Sequence, residues 1–208
     1  MSRFITFEGI DGSGKSTQAK LLADYLSGKG EEVFFTKEPG EGKLGQAIRN
    51  EILDRRDIDI EPYAELCLFC ADRAQHVREL IVPKLKDGCT VICDRYYDST
   101  LAYQGFGRGL DPHLVSLMAM ASSLGVEPDI TFFLSIPVEQ ALLRLKDREK
   151  ERNKMDEEPL EFHSRVDRGY RVLIEKSIPR IKVIEASGSP EETHMKIRAF
   201  LSESAAQT

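Results

Sequence analysis

The sequence predicts an α/β fold: a parallel sheet of about five strands flanked by helices. Three observations lead there. A short apolar run near the N-terminus opens straight into a glycine-rich loop and an amphipathic segment. Four further short apolar runs follow, separated by longer helical patterns, the arrangement of parallel strands with crossover helices. The 208 residues, 41% hydrophobic, suffice for one sizeable α/β core with a small inserted lid.

The elements follow in chain order. Arg3–Glu8 reads as a buried strand through Phe4, Ile5, Thr6 and Phe7. The stretch FEGIDGSGKSTQ then carries Gly9, Ile10, Asp11, Gly12, Ser13, Gly14, Lys15 and Ser16 in the pattern G-x-x-x-x-G-K-[ST], with Thr17 just behind. From Gln18 to Gly28, Ala19, Leu21, Leu22, Ala23, Tyr25 and Leu26 form a helical apolar face. Strand, glycine loop and helix are the context a phosphate-binding loop needs, so the sheet is of P-loop NTPase type. The remaining strands are predicted at Glu32–Thr36, Thr90–Asp94, Ile130–Ser135 and Lys182–Glu185. Helix Val138–Leu145 leads into RLKDREKERNK, with six basic and three acidic residues from Arg144 to Lys154. NKMDEEP breaks the pattern before a new helix near Leu160. A basic loop between helices in such a protein predicts a mobile lid, about 146–158, within a single domain spanning 1–208. The competing reading is a solvated helix with Asp147–Lys150, Glu149–Arg152 and Glu151–Lys154 pairs. The end, Ser202 to Thr208, reads as frayed.

The loop chemistry is that of a nucleotide phosphate. Glycine lets the backbone wrap an anion, and the loop N–H groups and helix N-terminus point at it. Lys15 would bridge the β- and γ-phosphates, and Ser16 would hold Mg2+. Asp94 ends an apolar strand, where ligands of open α/β sheets collect, and is placed to share the metal. Arg95 follows at once and could face a second phosphate; the alternative is a surface salt-bridge pair. Tyr96, Tyr97, Ser99, Thr100, Tyr103 and Gln104 cluster within nine residues. Phe69 and Arg73, four apart, share a helix face. Aromatic rings, amides and hydroxyls together can stack on a base and read its edge.

Composition sets bounds. A net charge of −6 argues against nonspecific binding of a nucleic-acid polymer. No apolar run approaches the ~20 residues of a membrane span, and none resembles a signal peptide, which predicts a cytoplasmic protein. Cys67 and Cys70 have C-x2-C spacing, but they sit in an apolar helical run. Cys89 and Cys93 lie in or beside a strand. Without knuckle turns, free thiols are favoured over zinc.

FEGIDGSGKST, KEPG, FCADRAQH, DRYYDSTLAYQG and RVDRGY, in this order, resemble the thymidylate kinase family over nearly the whole chain. The resemblance implies transfer of the γ-phosphoryl group of ATP to dTMP, with Mg2+, in dTTP biosynthesis, by a homodimer. It implies that Phe69 stacks on thymine, that Arg73 bonds its edge with help from Thr100, and that Pro39 lies by the methyl. Tyr103 would stand against C2′ of the sugar, Asp11 would reach the 3′-hydroxyl, and Arg95 would hold the dTMP phosphate. Gln104, Glu38 and Ser99 complete the acceptor pocket. The chain departs from the family in two places. GEG follows Glu38-Pro39 where Gly-Gly-Thr is usual, and Asn153, Lys154 and Asp156 stand where the lid usually continues Asp-Arg with an acidic residue. No cation lies inside the P-loop, so Arg148 and Arg152 are the expected lid catalysts, as in the branch usual in bacteria, with Lys154 the competitor. Leu114, Leu117, Met118 and Met120 could pack in the core or at a dimer face.

Two alternatives stay open on the sequence. One is another nucleoside monophosphate or deoxynucleoside kinase. The other is a non-catalytic P-loop switch; Asn153-Lys154-Met155-Asp156 spells the guanine signature N-K-x-D, but in the charged lid rather than after an apolar strand.

Overall fold

The computed structural model describes residues 2–147, 153–176 and 179–205, without the side chains of 203–205. Five strands, β1 Phe4–Glu8, β2 Val33–Lys37, β3 Thr90–Asp94, β4 Ile130–Ser135 and β5 Ile181–Glu185, form one sheet in the order β2-β3-β1-β4-β5. All neighbours pair in parallel. Every residue of β1 and β3 is buried, whereas the edge strands β2 and β5 bury only one residue each. Central strands covered on both faces need continuous apolar sequence, and these have it. Each strand lies within one residue of its predicted bounds.

The glycine loop joins β1 to α1, Lys15–Gly28. This helix begins three residues before the expected Gln18, because Gly14 caps it at φ 94° and brings Lys15, Ser16 and Thr17 into its first turn. Helix α2, Gly42–Arg49, continues into a π-helical segment, Asn50–Asp54. Helix α3, Pro62–His76, is capped by the Glu61 carboxylate, which accepts from Tyr63 N (2.8 Å) and Ala64 N (3.2 Å). A π-helical segment, Val77–Ile81, and α4, Val82–Lys86, lead to β3. After β3 come α5, Tyr97–Thr100, and a π-helical segment, Leu101–Gly107, so YYDSTLAYQG winds as one irregular helix. Helices α6 (Pro112–Ser122), α7 (Val138–Lys146), α8 (Leu160–Glu175) and α9 (Pro190–Ala205) complete the chain.

Helices α1 and α9 pack one face of the sheet through Leu22, Leu26, Ile197 and Leu201 against Ile5, Phe7, Phe132 and Ile184. On the other face Phe162, Val166, Tyr170 and Leu173 of α8 join Ala102, Tyr103 and Phe133. That contact is close: a Cβ at Gly169 would lie 2.9 Å from the Phe106 ring. The segment 101–107 is thereby clamped beneath the carboxyl ends of β1 and β3.

Cys67 is exposed and Cys70 buried, both on α3, and none of the four cysteines is disulfide-bonded. Of the expected lid, Arg148 and Arg152 lie outside the described residues. Its C-terminal part folds back onto the body: Lys154 N donates to Leu53 O (2.9 Å), and Met155 is buried in the core beside Leu53 and Phe162.

Candidate active site

Gly9, Gly12 and Gly14 have φ of 144°, 81° and 94°, in the region other residues avoid. A Cβ at Gly12 would lie 2.2 Å from the Ala141 carbonyl oxygen, so the loop can run this close to α7 only as glycine. Lys15 Nζ donates to Ile10 O (2.8 Å) within the loop. Burial, and next the Arg95 guanidinium, lower its ammonium to about 8. The Ser16 hydroxyl donates to Asp94 Oδ2. The other oxygen, Asp94 Oδ1, is buried without a partner, as is Ser13 Oγ. A hydroxyl and a carboxylate with a free lone pair, beside a phosphate loop, fit a hard cation that takes oxygen ligands.

Arg95 adopts φ 72°, left-handed for a non-glycine residue, with its N–H donating to Phe7 O (3.0 Å). This turn aims its guanidinium back over the loop. Nη1 donates to Gly9 O and Ser99 Oγ (both 3.1 Å); Nη2 donates to Tyr103 Oη (3.0 Å) and pairs with the Asp11 carboxylate. Tyr103 Oη in turn donates to Asp11 Oδ2 (2.7 Å) and accepts from Asp11 N (3.1 Å). Burial works to raise the Asp11 carboxyl, but Arg95 and Lys15 outweigh it and hold it down at about 2. Arg95 is thus no surface partner of Asp94: it joins the P-loop to the YYDSTLAYQG helix.

Glu8 carries this arrangement, and the sequence alone does not single it out. Its Oε1 accepts from Tyr96 N (2.7 Å) and Ser99 N (3.3 Å), and its Oε2 from Ser99 Oγ (2.6 Å) and Tyr170 Oη (2.8 Å). Burial, then Asp98, push its carboxyl up to about 7. The available signal was its place at the carboxyl end of β1, matching Asp94 at the end of β3.

Beyond Arg95 the same cavity, about 460 Å³, runs on between Phe69, Arg73, Pro39, Thr100, Tyr103 and Gln104. Arg73 is buried; its Nε donates to Glu38 Oε2 (2.8 Å), its Nη1 to Thr100 Oγ1 (2.9 Å), and its Cζ lies 5.5 Å from the Tyr96 ring centre. Pro39 follows a cis peptide bond. Gln104 Nε2 donates to Glu65 Oε1 (2.9 Å), and Arg108 bonds both Glu65 and Glu158.

One cavity therefore gathers Asp11, Gly12, Gly14, Lys15, Ser16, Thr17, Glu38, Pro39, Phe69, Arg73, Asp94, Arg95, Ser99, Thr100, Tyr103 and Gln104. Gly9, Ile10 and Ser13 shape the loop without lining it. Arg49, which the sequence does not single out, also lines the cavity and donates to Pro39 O (3.0 Å). Lys154 turns away, its Nζ donating to Ile58 O (2.6 Å). In the Asn153–Asp156 run, Asn153 Oδ1 caps a turn by accepting from Met155 N (2.8 Å), an engagement that argues against the guanine-signature reading.

Fold and site define a P-loop nucleotide-binding protein whose cavity runs on from the phosphate loop to Phe69 and Arg73. The family model described as thymidylate kinase matches residues 7–197. The thymidylate kinase of Desulfovibrio desulfuricans is 46% identical over 204 residues, covering 95% of this chain and 94% of the relative. That of Chlorobaculum parvum is 44% identical over 205 residues, covering 95% and 94%. The crystal structure of thymidylate kinase from Ehrlichia chaffeensis superposes with a TM-score of 0.77 at 36% identity, covering 96% of this chain and 98% of that one. The chain belongs to the thymidylate kinase family.

Proposed function

We propose that the cavity transfers the γ-phosphoryl group of ATP to dTMP, giving dTDP and ADP. The observation that carries this reading is the single cavity with Lys15 and Ser16 at one end, Phe69 and Arg73 at the other, and Arg95 between them. ATP would seat its phosphates on the loop. The thymine would stack on Phe69 with its edge at Arg73 and Thr100, and Asp11, Tyr103 and Arg95 would hold the sugar and phosphate. An oxygen of the dTMP phosphate attacks the γ-phosphorus, and the bond to the β-bridging oxygen breaks. No strong base is needed, since a phosphomonoester is mostly dianionic at neutral pH, its second pKa being ≈ 6. The barrier is repulsion and misalignment of two anions, which Lys15 and Arg95 counter by charge and position. Ser16 and Asp94 would hold Mg2+, which supplies further neutralisation of the phosphates when bound.

With no cation inside the P-loop beyond Lys15, the lid segment about 146–158, its Lys154–Met155 end anchored on the body, would bring Arg148 or Arg152 to the γ-phosphoryl group, as in the basic-lid branch. A homodimer would form through α6, where Leu117 and Met120 are 61% and 63% exposed beside Leu114. Among the described residues no helix is long and apolar enough to cross a membrane, and a cytoplasmic location accords with that. A coupled ADP-release assay with ATP, Mg2+ and each nucleoside monophosphate in turn tests the function. Turnover with dTMP far above the others is expected; preference for a different acceptor, or nucleotide binding without turnover, would overturn it.

A further inference from the structure

The buried face of α3 carries a hydrogen-bonded chain behind the base pocket. Thr36 Oγ1 lies 2.7 Å from His76 Nε2; His76 Nδ1 lies 2.8 Å from Glu38 Oε1; Glu38 Oε2 accepts from Arg73 Nε at 2.8 Å; Arg73 Nη1 donates to Thr100 Oγ1 at 2.9 Å. Thr36, His76, Glu38 and Arg73 are all at most 6% exposed. A carboxylate accepts only, so His76 must present Nδ1–H to Glu38, and Nε2 is then free to accept from the Thr36 hydroxyl. Each imidazole nitrogen therefore has a partner.

We propose that His76 is a positioning residue for base recognition: through Glu38 it fixes the plane of the Arg73 guanidinium, and so the direction of the N–H groups offered to the pyrimidine edge. This rests on Arg73 reading the base. Arg73 is held at two points, Nε by Glu38 and Nη1 by Thr100, and a planar fork held at two points has no rotation left. The Glu38 carboxylate is oriented only if both of its oxygens are engaged. Take away the Nδ1–H, and Glu38 Oε1 becomes a buried charged acceptor with a missing partner; the carboxylate turns to recover a bond, and the guanidinium turns with it. His76 itself does not line the cavity, so its influence on substrate must pass through this chain.

The donor atoms of Glu38, His76 and Cys93 also lie within 4.8 Å of one another, which raises a metal ion as the other reading. A cation there would sit against the Arg73 guanidinium. It would also require the Cys93 thiol to ionise, which burial opposes. Hydrogen bonds already engage all three groups, Cys93 Sγ donating to Arg95 O (3.0 Å).

Two variants of similar size separate positioning from packing. Asn places its amide where Nδ1 sits, and Gln places it nearer Nε2. In steady-state kinetics with ATP and Mg2+, His76→Gln is expected to raise the KM for dTMP about tenfold while leaving the KM for ATP nearly unchanged. His76→Asn should restore most of the loss. In the Arg73→Ala background, His76→Gln should add nothing further, because its effect travels through that guanidinium. The relay is overturned if Asn and Gln behave alike, if both KM values rise together, or if the two substitutions multiply. An Arg73→Ala variant with an unchanged dTMP KM would instead sink the assignment of Arg73 to the base. A large Arg73→Ala effect with a silent His76→Gln sinks only the relay.

Discussion

Removing one hydroxyl, in Tyr103→Phe, tests the centre of the site. The ring stays: it stands edge-on to Phe162, with centroids 6.1 Å apart, and to Tyr170 at 6.5 Å. The Arg95 guanidinium still lies 4.8 Å from its centre. What goes is a donor bond to the Asp11 carboxylate at 2.7 Å and two accepted bonds, from Arg95 Nη2 and Asp11 N. Bonds to charged groups contribute ~1.5–3 kcal/mol and neutral ones ~1 kcal/mol. Asp11 and Arg95 keep their direct ion pair, so these losses share partners and do not simply add. A net loss of about 2 kcal/mol is expected, read as a drop of about thirtyfold in kcat/KM for dTMP.

The ring and the hydroxyl have separate jobs, and two substitutions tell them apart. Tyr103→Phe keeps the ring that would exclude a 2′-hydroxyl, so the preference for dTMP over ribothymidine monophosphate should survive the loss of rate. Tyr103→Ala opens that space, and the preference should narrow. Coupled ADP-release assays on wild type and both variants with both acceptors give the six values needed. Wild-type kcat/KM in the Phe variant would refute the claim that the hydroxyl orients Asp11 and Arg95. An unchanged deoxy-to-ribo ratio in the Ala variant would mean that another residue guards the sugar.

Lys15→Ala should abolish turnover while the far-UV circular dichroism spectrum stays that of the wild type, since Lys15 acts on the phosphates through charge; near-normal kcat would remove it from the site. Because burial lowers the Lys15 ammonium to about 8, the unfolded chain binds the extra proton between that value and 10.5, and this group's contribution makes stability rise with pH across the window. The sign reverses for Glu8: its carboxyl is raised from 4.5 to about 7, so the folded state holds a proton the unfolded state has lost, and stability falls by up to ~3 kcal/mol as pH rises through that range. Glu8→Gln should flatten that part of the slope in chemical denaturation, and a parallel slope would refute the assignment. Arg148→Ala or Arg152→Ala should lower kcat ~10³-fold with substrate binding nearly unchanged, while Lys154→Ala, whose Nζ is engaged by Ile58 O, should be silent. If Lys154→Ala alone loses kcat, the lid catalyst has moved; if all three keep it, the charge run is a solvated surface.

What was legible in the sequence depended on range. Strands β1, β3 and β4 are apolar runs because both faces of the sheet are covered, and burial on two sides leaves a pattern visible without any partner. The P-loop is local, each of its glycines answering to a backbone angle within a few residues. Phe69 and Arg73 were legible as a pair because one helical turn places them on a face. Glu8, Glu65 and His76 were not, since each is defined by residues far along the chain: Glu8 by Ser99 and Tyr170, Glu65 by Gln104 and Arg108, His76 by Thr36 and Glu38. A buried carboxylate looks like any other acidic residue until its donors are assembled around it. The start of α1 was placed late for a related reason: Lys15, Ser16 and Thr17 carry no apolar periodicity, and only the left-handed Gly14 ahead of them shows that they are helical.

The backbone of Arg95 shows what the site demands of its fold. A left-handed conformation at a non-glycine residue costs ~1–2 kcal/mol, and a glycine there would relieve it. The fold holds the strain by bonding Arg95 N to Phe7 O and by anchoring the next turn through Glu8 to Tyr96 N and Ser99 N. Both anchors sit on β1, the strand that delivers the P-loop. The arginine facing the acceptor pocket and the loop facing the donor are therefore positioned by the same strand, and the Asp11 carboxylate joins them a second time through the ion pair. For a reaction whose barrier is the alignment of two anions, that shared footing is the relevant design: a shift of β1 moves both halves of the site together, and the distance across which the phosphoryl group would pass is preserved.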